Sequence, residues 1–102
     1  NAVTSAAEFA KSQKARALVL ITDGEPNCNE DLDPSTCTCT APRVGFPPVC
    51  NSSGNCSDVD RVTQAVRRVH REDGLVTFVV GIGRSDRQTE VALHNLAVAG
   101  GM

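Results

Sequence analysis

The sequence is poor in aromatic residues and in net charge. It contains no Trp or Tyr, only three Phe, and has a formal net charge of -2 at pH 7. Proteins that bind nucleic acids use strongly basic surfaces for the phosphates and aromatic side chains for the bases. The composition therefore argues against a nucleic-acid partner.

Long apolar runs are also absent. A helix that crosses a bilayer needs about 20 consecutive apolar residues, and no stretch of this chain approaches that length. We therefore expect no membrane span in this segment. With 40% hydrophobic and 22% charged residues among 102 positions, the composition is typical of a globular domain.

Two short apolar segments predict the strands of a parallel sheet. Residues 17–22 read ALVLIT, and residues 75–82 read LVTFVVGI. Apolar runs of this length, rich in Val and Ile, are typical of strands that are buried on both faces. The side chains expected to be buried are Val19, Ile21, Val76, Phe78 and Val80.

Three further segments predict helices. Residues 2–14 are rich in strong helix formers. Residues 58–72 have a valine at every third or fourth position, which predicts an apolar stripe facing the sheet and a helix that ends at Gly74. The stripe consists of Val59, Val62, Val66 and Val69. A third helix is predicted to begin at a capping box of Ser85 and Gln88 and to end at the Gly-Gly pair near the end of the sequence.

The predicted order is helix, strand, long loop, helix, strand, helix. A strand-helix-strand unit implies a parallel pair with a right-handed connection. Parallel sheets are covered by helices on both faces and usually have more than two strands. We therefore expect a partial α/β fold, namely part of a doubly wound, Rossmann-like parallel sheet in a three-layer α/β/α arrangement.

The polar segment 23–57 is much longer than the usual connection in a compact domain. It contains all five cysteines of the chain, which are Cys28, Cys37, Cys39, Cys50 and Cys56. Structural zinc sites usually show paired Cys-x₂₋₄-Cys spacing, whereas the gaps here are 8, 1, 10 and 5 residues. We expect disulfides instead, with one cysteine left over and a pairing that the sequence does not determine. Disulfides also indicate an extracytoplasmic location, that is, a secreted, periplasmic or cell-surface protein.

Asp23 is the leading candidate site residue. It directly follows the first predicted strand, and open α/β sheets bind their ligands beyond the carboxyl ends of the strands. Its carboxylate could bind Mg²⁺, Ca²⁺ or Mn²⁺, or it could accept hydrogen bonds within an Asp-Gly turn. The neighbouring Thr22 and Glu25 are expected to be turn residues or to support a metal ligand rather than to bind metal directly.

Three segments together resemble a known family. These are ALVLITDGEPN at 17–27, LVTFVVGIG at 75–83 and LHNLAVAGGM at 93–102. They are similar to the second half of a von Willebrand factor A-type domain, particularly its bacterial branch with a cysteine-containing loop. The resemblance implies a metal-ion-dependent adhesion site, which in that family combines an Asp-x-Ser-x-Ser loop, a Thr and an Asp. Only the last of these has a counterpart in this sequence, at Asp23.

The resemblance also implies a domain organisation. Residues 1–102 would be part of such a domain, and residues 23–57 would be a cysteine-rich insertion loop within it. The family's first strands, first metal loop, and last strand and helix have no counterpart here. The complete domain would bind Mg²⁺, or else Ca²⁺ or Mn²⁺, whereas this segment alone would bind no metal.

The resemblance favours a binding module over an enzyme. The complete domain would use the cation to capture a carboxylate of a protein partner whose identity the sequence does not reveal. One alternative is a metal-dependent hydrolase or phosphotransfer domain with Asp23 at the strand tip. A second alternative is a metal-free structural module stapled by disulfides. No phosphate loop is present, and no second acidic residue or Lys follows a predicted strand, so we expect no enzymatic activity.

Overall fold

The computed structural model describes residues 2–83 and 86–102. The chain forms two compact units. The first, called here the α/β unit, extends to Gly24 and resumes at Asp60. The second, called the cysteine unit, is Glu25–Val59 and corresponds closely to the long polar segment.

Three helices and two strands make up the regular structure around the α/β unit. In chain order they are α1 (Ala2–Ser12), β1 (Ala17–Thr22), α2 (Val59–Asp73), β2 (Val76–Gly81) and α3 (Arg87–Ala99). The two strands pair in parallel. The α/β class, the order of the elements and the parallel pairing are therefore confirmed.

The hydrophobic core is formed by two clusters of buried side chains that share one face of the sheet. The first cluster consists of Ala7, Ala10, Val69 and Leu75, and the second of Val66, Leu96 and Ala99. Leu18 packs against the first cluster, and Leu20 and Val79 pack against the second. Leu20 and Val79 are partners in the strand register, and Leu18 lies two residues from Leu20, so all three belong to the same face. All three helices contribute to these clusters.

Three of the four valines in the predicted stripe of α2 face this core, whereas Val59 belongs to the cysteine unit. Val66 and Val69 are buried, and Val62 packs against the second cluster. The helix also ends where the sequence indicates, because Gly74 has a φ of +66° and its N–H donates to the carbonyl of His70 at 3.1 Å. A residue without a Cβ adopts this left-handed conformation at little cost.

The opposite face of the sheet is exposed, so the expected burial of both faces is wrong. The exposed fractions are 61% for Val19, 62% for Ile21, 43% for Phe78 and 43% for Val80. Of the five side chains expected to be buried, Val76 alone is partly buried. Because successive side chains alternate between the two faces of a strand, helices that cover the face of Leu20 leave these residues uncovered. The expected third layer is not confirmed among the described residues.

The start of α3 also differs from its prediction. Asp86 has an extended backbone and accepts a hydrogen bond from the backbone N–H of Thr89 at 2.8 Å. Asp86 is therefore the N-cap, one residue after the predicted Ser85, which lies outside the described residues. Both residue types are good caps, and the hydrogen bond to Thr89 identifies Asp86 as the cap.

The cysteine unit is held by two nested disulfides. Cys37 is bonded to Cys56, and Cys39 to Cys50, with 5.6 Å between the Cα atoms in each pair. Cys28 is free and exposed. The prediction of disulfides with one cysteine left over is confirmed.

Hydrogen bonds between side chains brace the same unit. The amide of Asn29 donates to the carboxylate of Asp58 at 2.8 Å, and both residues are buried. The hydroxyl of Ser57 donates to the carboxylate of Glu25 at 3.0 Å.

No helix among the described residues is long and apolar enough to cross a membrane.

Candidate functional site

Asp23 lies at the carboxyl edge of the two-stranded sheet. It follows the last residue of β1, and its side chain is exposed. The N–H of Ile82 donates to the carbonyl of Thr22 at 2.9 Å, so the backbone segments that follow the two parallel strands remain paired at this edge. Carboxyl ends of parallel strands are where open α/β sheets bind ligands, and Asp23 has the position that such a role requires.

Thr22 and Glu25 have structural hydrogen bonds. The hydroxyl of Thr22 donates to the carbonyl of Gly24 at 2.8 Å and accepts from the N–H of Gly24 at 3.3 Å. It therefore closes the turn that follows β1. Glu25 belongs to the cysteine unit, where its carboxylate accepts from Ser57. Both side chains thus have hydrogen-bond partners within the chain.

The residues described at this edge do not by themselves fit a divalent-cation site. Mg²⁺ requires several oxygen ligands in near-octahedral geometry. Asp23 supplies a carboxylate, but the hydroxyl of Thr22 is engaged by the backbone of Gly24. Among residues 2–83 and 86–102, no group of three or more potential His, Cys, Asp or Glu ligands includes Asp23.

The cysteine unit presents an exposed aromatic side chain at the tip of a short hairpin. Val44 and Val49 exchange two backbone hydrogen bonds, of 2.7 and 2.9 Å. Between them the chain reverses through Gly45, whose φ is +84°, and Phe46 is fully exposed with a relative accessibility of 102%. Phe46 is not among the candidate site residues predicted from the sequence. The signal that could have revealed it is Gly-Phe-Pro-Pro between two valines.

Arg43 braces this hairpin. Its guanidinium donates to the carbonyl of Pro48 and to the carbonyl of Cys37, both at 3.1 Å. The first contact crosses the hairpin, and the second ties it to the Cys37–Cys56 disulfide. Phe46 therefore projects from a turn that is held at its base.

The sulfur atoms of the two disulfides form one cluster. The Sγ atoms of Cys37, Cys50 and Cys56 lie within 4.8 Å of one another, and Cys39 is bonded to Cys50. The Sγ atoms of Cys37 and Cys50 are 3.2 Å apart although they are not bonded to each other. The spacing of the cysteines in the sequence contains no sign of this convergence.

The arginine-rich face of α2 forms a shallow groove of about 320 Å³. It is lined by Gln64, Arg67, Arg68, Arg71 and Glu72. These residues belong to one exposed helix face, which agrees with the ordinary role of solvated charges.

His70, on the same helix, has Nδ1 at 3.2 Å from the carbonyl oxygen of Leu75, so this nitrogen donates and the ring has a structural role.

Two charged groups outside the helix caps have shifted pKa values. The pKa of Lys11 is raised because its ammonium donates to the carboxylate of Asp73 at 2.9 Å. The pKa of Asp33 is lowered because its carboxylate accepts from the hydroxyl of Ser35 and then from the backbone N–H of the same residue. The first contact joins α1 to α2 and is partly exposed, and the second is exposed and closes a local turn, so both have a structural role.

Comparisons with known proteins add no functional assignment. The chain matches no protein-family model, no curated protein and no solved structure.

Proposed function

We propose that this chain is part of an extracytoplasmic protein-binding module of von Willebrand factor A type. The observation that carries the binding role is the fully exposed side chain of Phe46 on a braced hairpin. Aromatic anchors dominate the binding energy of many protein interfaces. A side chain on a turn that is already ordered also loses less conformational freedom when a partner binds.

The exposed side chain of Phe46 favours a partner with an apolar pocket. Covering a Phe side chain completely contributes about 1.5–3 kcal/mol relative to leaving it in water. The hydrogen bonds of Arg43 and of the Val44–Val49 pair order the hairpin without any partner. Phe46 is therefore suited to insert into a pocket of a second protein.

The two disulfides support an extracytoplasmic location. Structural disulfides persist in oxidising compartments and are rare in the cytosol. Each bond closes a loop in a unit that has little apolar core of its own. In an oxidising compartment the two disulfides would persist, and the cysteine unit would therefore keep its fold.

The complete fold is proposed to be a doubly wound, three-layer sheet. The exposed pairs Val19 with Phe78 and Ile21 with Val80 support this, because such a face of a parallel sheet is usually covered by a second layer of helices. In that complete domain Asp23 would be one ligand of Mg²⁺, Ca²⁺ or Mn²⁺, and the cation would offer an open position to a partner carboxylate. Among the described residues, no group of three or more potential ligands includes Asp23.

Neither alternative function gains support from a specific contact. A hydrolase or phosphotransfer domain would need further catalytic groups beside Asp23, and none of the metal-binding groups among the described residues includes it. A purely structural module would not need a fully exposed Phe on an ordered turn.

Selection of binding peptides tests the role of Phe46. Peptides selected from a random library against the oxidised chain should contain apolar residues, and Phe46→Ala should weaken their binding about tenfold or more, which equals about 1.4 kcal/mol. Phe9→Ala is the matched control, because Phe9 is 69% exposed but lies on α1. Peptides that bind Phe46→Ala as tightly as the original chain would contradict the proposal.

Calorimetric titration with Mn²⁺ tests the proposed role of Asp23 as a metal ligand separately. This chain alone should show no site tighter than about millimolar, because one carboxylate does not replace the hydration shell of the ion. A complete domain should bind the ion and lose it on Asp23→Ala, whereas Asp60→Ala, on the exposed surface of α2, should have no effect. Micromolar binding by this chain that survives Asp23→Ala would place the site elsewhere.

A further inference from the structure

We propose that the four disulfide-bonded cysteines form a Zn²⁺ site when both disulfides are reduced. The site would consist of Cys37, Cys39, Cys50 and Cys56. In the oxidised chain the same sulfurs form two disulfides, so the thiol-disulfide state would decide whether metal binds.

The first support is the distance between sulfur atoms. Tetrahedral Zn²⁺ with thiolate ligands has Zn–S distances of about 2.3 Å, which separates the sulfurs by about 3.8 Å. The sulfurs of Cys37, Cys50 and Cys56 already lie within 4.8 Å of one another. The sulfur of Cys39 is bonded to that of Cys50 but does not belong to this group of three. Three thiolates are therefore close to the spacing that Zn²⁺ needs, and rotation of the Cys39 side chain away from Cys50 would supply the fourth.

The second support is a backbone that holds the cysteines together without the disulfides. Cys39 and Cys56 face each other in an antiparallel bridge. The N–H of Thr40 donates to the carbonyl of Asn55 at 2.8 Å, and the N–H of Ser57 donates to the carbonyl of Thr38 at 2.7 Å. These bonds flank both cysteines of the bridge. They would keep the thiols of Cys39 and Cys56 close after reduction.

The third support is the environment of the cluster. The exposed fractions of Cys50 and Cys56 are 2% and 0%, so water has little access to these two residues, whereas Cys37 and Cys39 are partly buried. A tetrathiolate carries excess negative charge, and the guanidinium of Arg43 donates to the carbonyl of Cys37 at 3.1 Å. A cation next to a ligand backbone partly offsets that charge.

The chemical change balances with a dithiol as the reductant. Each protein disulfide receives two electrons and two protons from one dithiol, which is itself oxidised to a disulfide. Zn²⁺ then replaces the protons of the thiols and releases them to solvent. A disulfide oxidant would reverse the change by re-forming the two protein disulfides and releasing the metal.

Cobalt titration of the full chain tests this site. The Cys28→Ser chain, reduced with a phosphine under anaerobic conditions, should bind about one Co²⁺ per chain and show the visible absorption of tetrahedral cobalt thiolate. Adding Zn²⁺ should abolish that absorption. The oxidised chain should show none, and the chain with Cys28 retained should give the same spectrum as Cys28→Ser.

The variant Cys28→Ser with Cys39→Ser is the matched test of the ligand set. Loss of one thiolate should weaken Zn²⁺ binding about tenfold or more, a difference of at least about 1.4 kcal/mol. Amide exchange at Val44 and Val49 then shows whether the metal-bound unit keeps its hairpin. Absence of cobalt absorption, an unchanged affinity without Cys39, or binding to an unfolded unit with no defined stoichiometry would each overturn the proposal.

Discussion

The α/β unit and the cysteine unit are stabilised by different interactions. In the α/β unit the buried side chains are mostly apolar and come from the three helices, from Leu75 and from Thr77 of β2, while side chains of β1 are partly buried against them. In the cysteine unit the buried residues are Asn29, Cys50, Cys56 and Asp58. Periodic apolar residues thus organise one part of the chain, whereas covalent bonds and polar contacts organise the other.

The difference follows from how much apolar surface each segment can bury. The α2 stripe and the strands repeat apolar residues with helical and strand periods, so their packing removes much apolar surface from water. The cysteine unit has no such repeat. A disulfide across 19 or 11 residues offsets this deficit by about 3 kcal/mol, because it restricts the unfolded chain.

A charge in the apolar core should have the largest effect. Val66 is fully buried, so Val66→Asp would place an unpaired carboxylate in the second cluster and cost about 3–5 kcal/mol. Circular dichroism during thermal unfolding should show a much lower midpoint for the helices. Arg67→Asp, one residue further and exposed, is the control. An unchanged midpoint for Val66→Asp would show that α2 is wrongly placed.

Removal of a disulfide should affect the cysteine unit by a somewhat smaller amount. Cys37→Ala with Cys56→Ala should destabilise that unit by about 3 kcal/mol. Hydrogen exchange at the amides of Val44 and Val49 should become faster, while Cys28→Ala should leave it unchanged. In the unmodified chain, alkylation without reductant should label Cys28 alone. Labelling of three or more cysteines would disprove the disulfide assignment.

A buried hydroxyl without a partner offers a way to stabilise the α/β unit. Thr77 is 1% exposed, and its Oγ1 has no hydrogen-bond partner among the described residues. Thr77→Val keeps the shape and removes the desolvated hydroxyl, so urea unfolding should show a gain of about 1–2 kcal/mol. The control Thr22→Val removes a hydroxyl that is bonded to Gly24 and should destabilise. A loss of stability in Thr77→Val would mean that the hydroxyl has a partner, such as a buried water.

Acid pH should produce the smallest effect. One carboxylate in each unit should be protonated, Asp86 in the α/β unit and Asp33 in the cysteine unit. The pKa of Asp86 is lowered from 3.8 mainly by the backbone N–H of Thr89, and that of Asp33 by the hydroxyl and N–H of Ser35. A lowered pKa means that the stabilisation is complete above the ordinary value and disappears as the pH falls through the folded pKa. The amide resonances of Thr89 and Ser35 should therefore titrate below pH 3.8.

Variants with an amide at these two positions are the controls. Asp86→Asn should keep a cap for α3 but abolish the titration of the Thr89 amide. Asp33→Asn should do the same for Ser35. A titration midpoint above the ordinary carboxyl value would contradict the hydrogen bonds assigned to either carboxylate.

Strong periodic patterns allowed accurate prediction of the regular elements. The valines of α2 repeat over several turns, and Gly74 marks the end of the helix, so both features were found from local sequence. The start of α3 was wrong by one residue because Ser and Asp are both good caps and stand side by side. Phe46 was missed because its loop has no periodic pattern, and Gly-Phe-Pro-Pro between two valines indicates a turn without indicating that the aromatic side chain is exposed.

The sequence by itself determined the order of helices and strands, the parallel pairing and the oxidised state of the cysteine unit. These features depend on local periodicity, on connection rules and on the number and surroundings of cysteines. Only the tertiary structure decided which sheet face is covered and that Cys37 pairs with Cys56 and Cys39 with Cys50. A disulfide requires Cα atoms within about 4.4–6.8 Å, and coverage requires that helices pack on one side. Both the disulfide pairing and the coverage of the sheet depend on how segments far apart in the chain come together, which residue types and spacing do not specify.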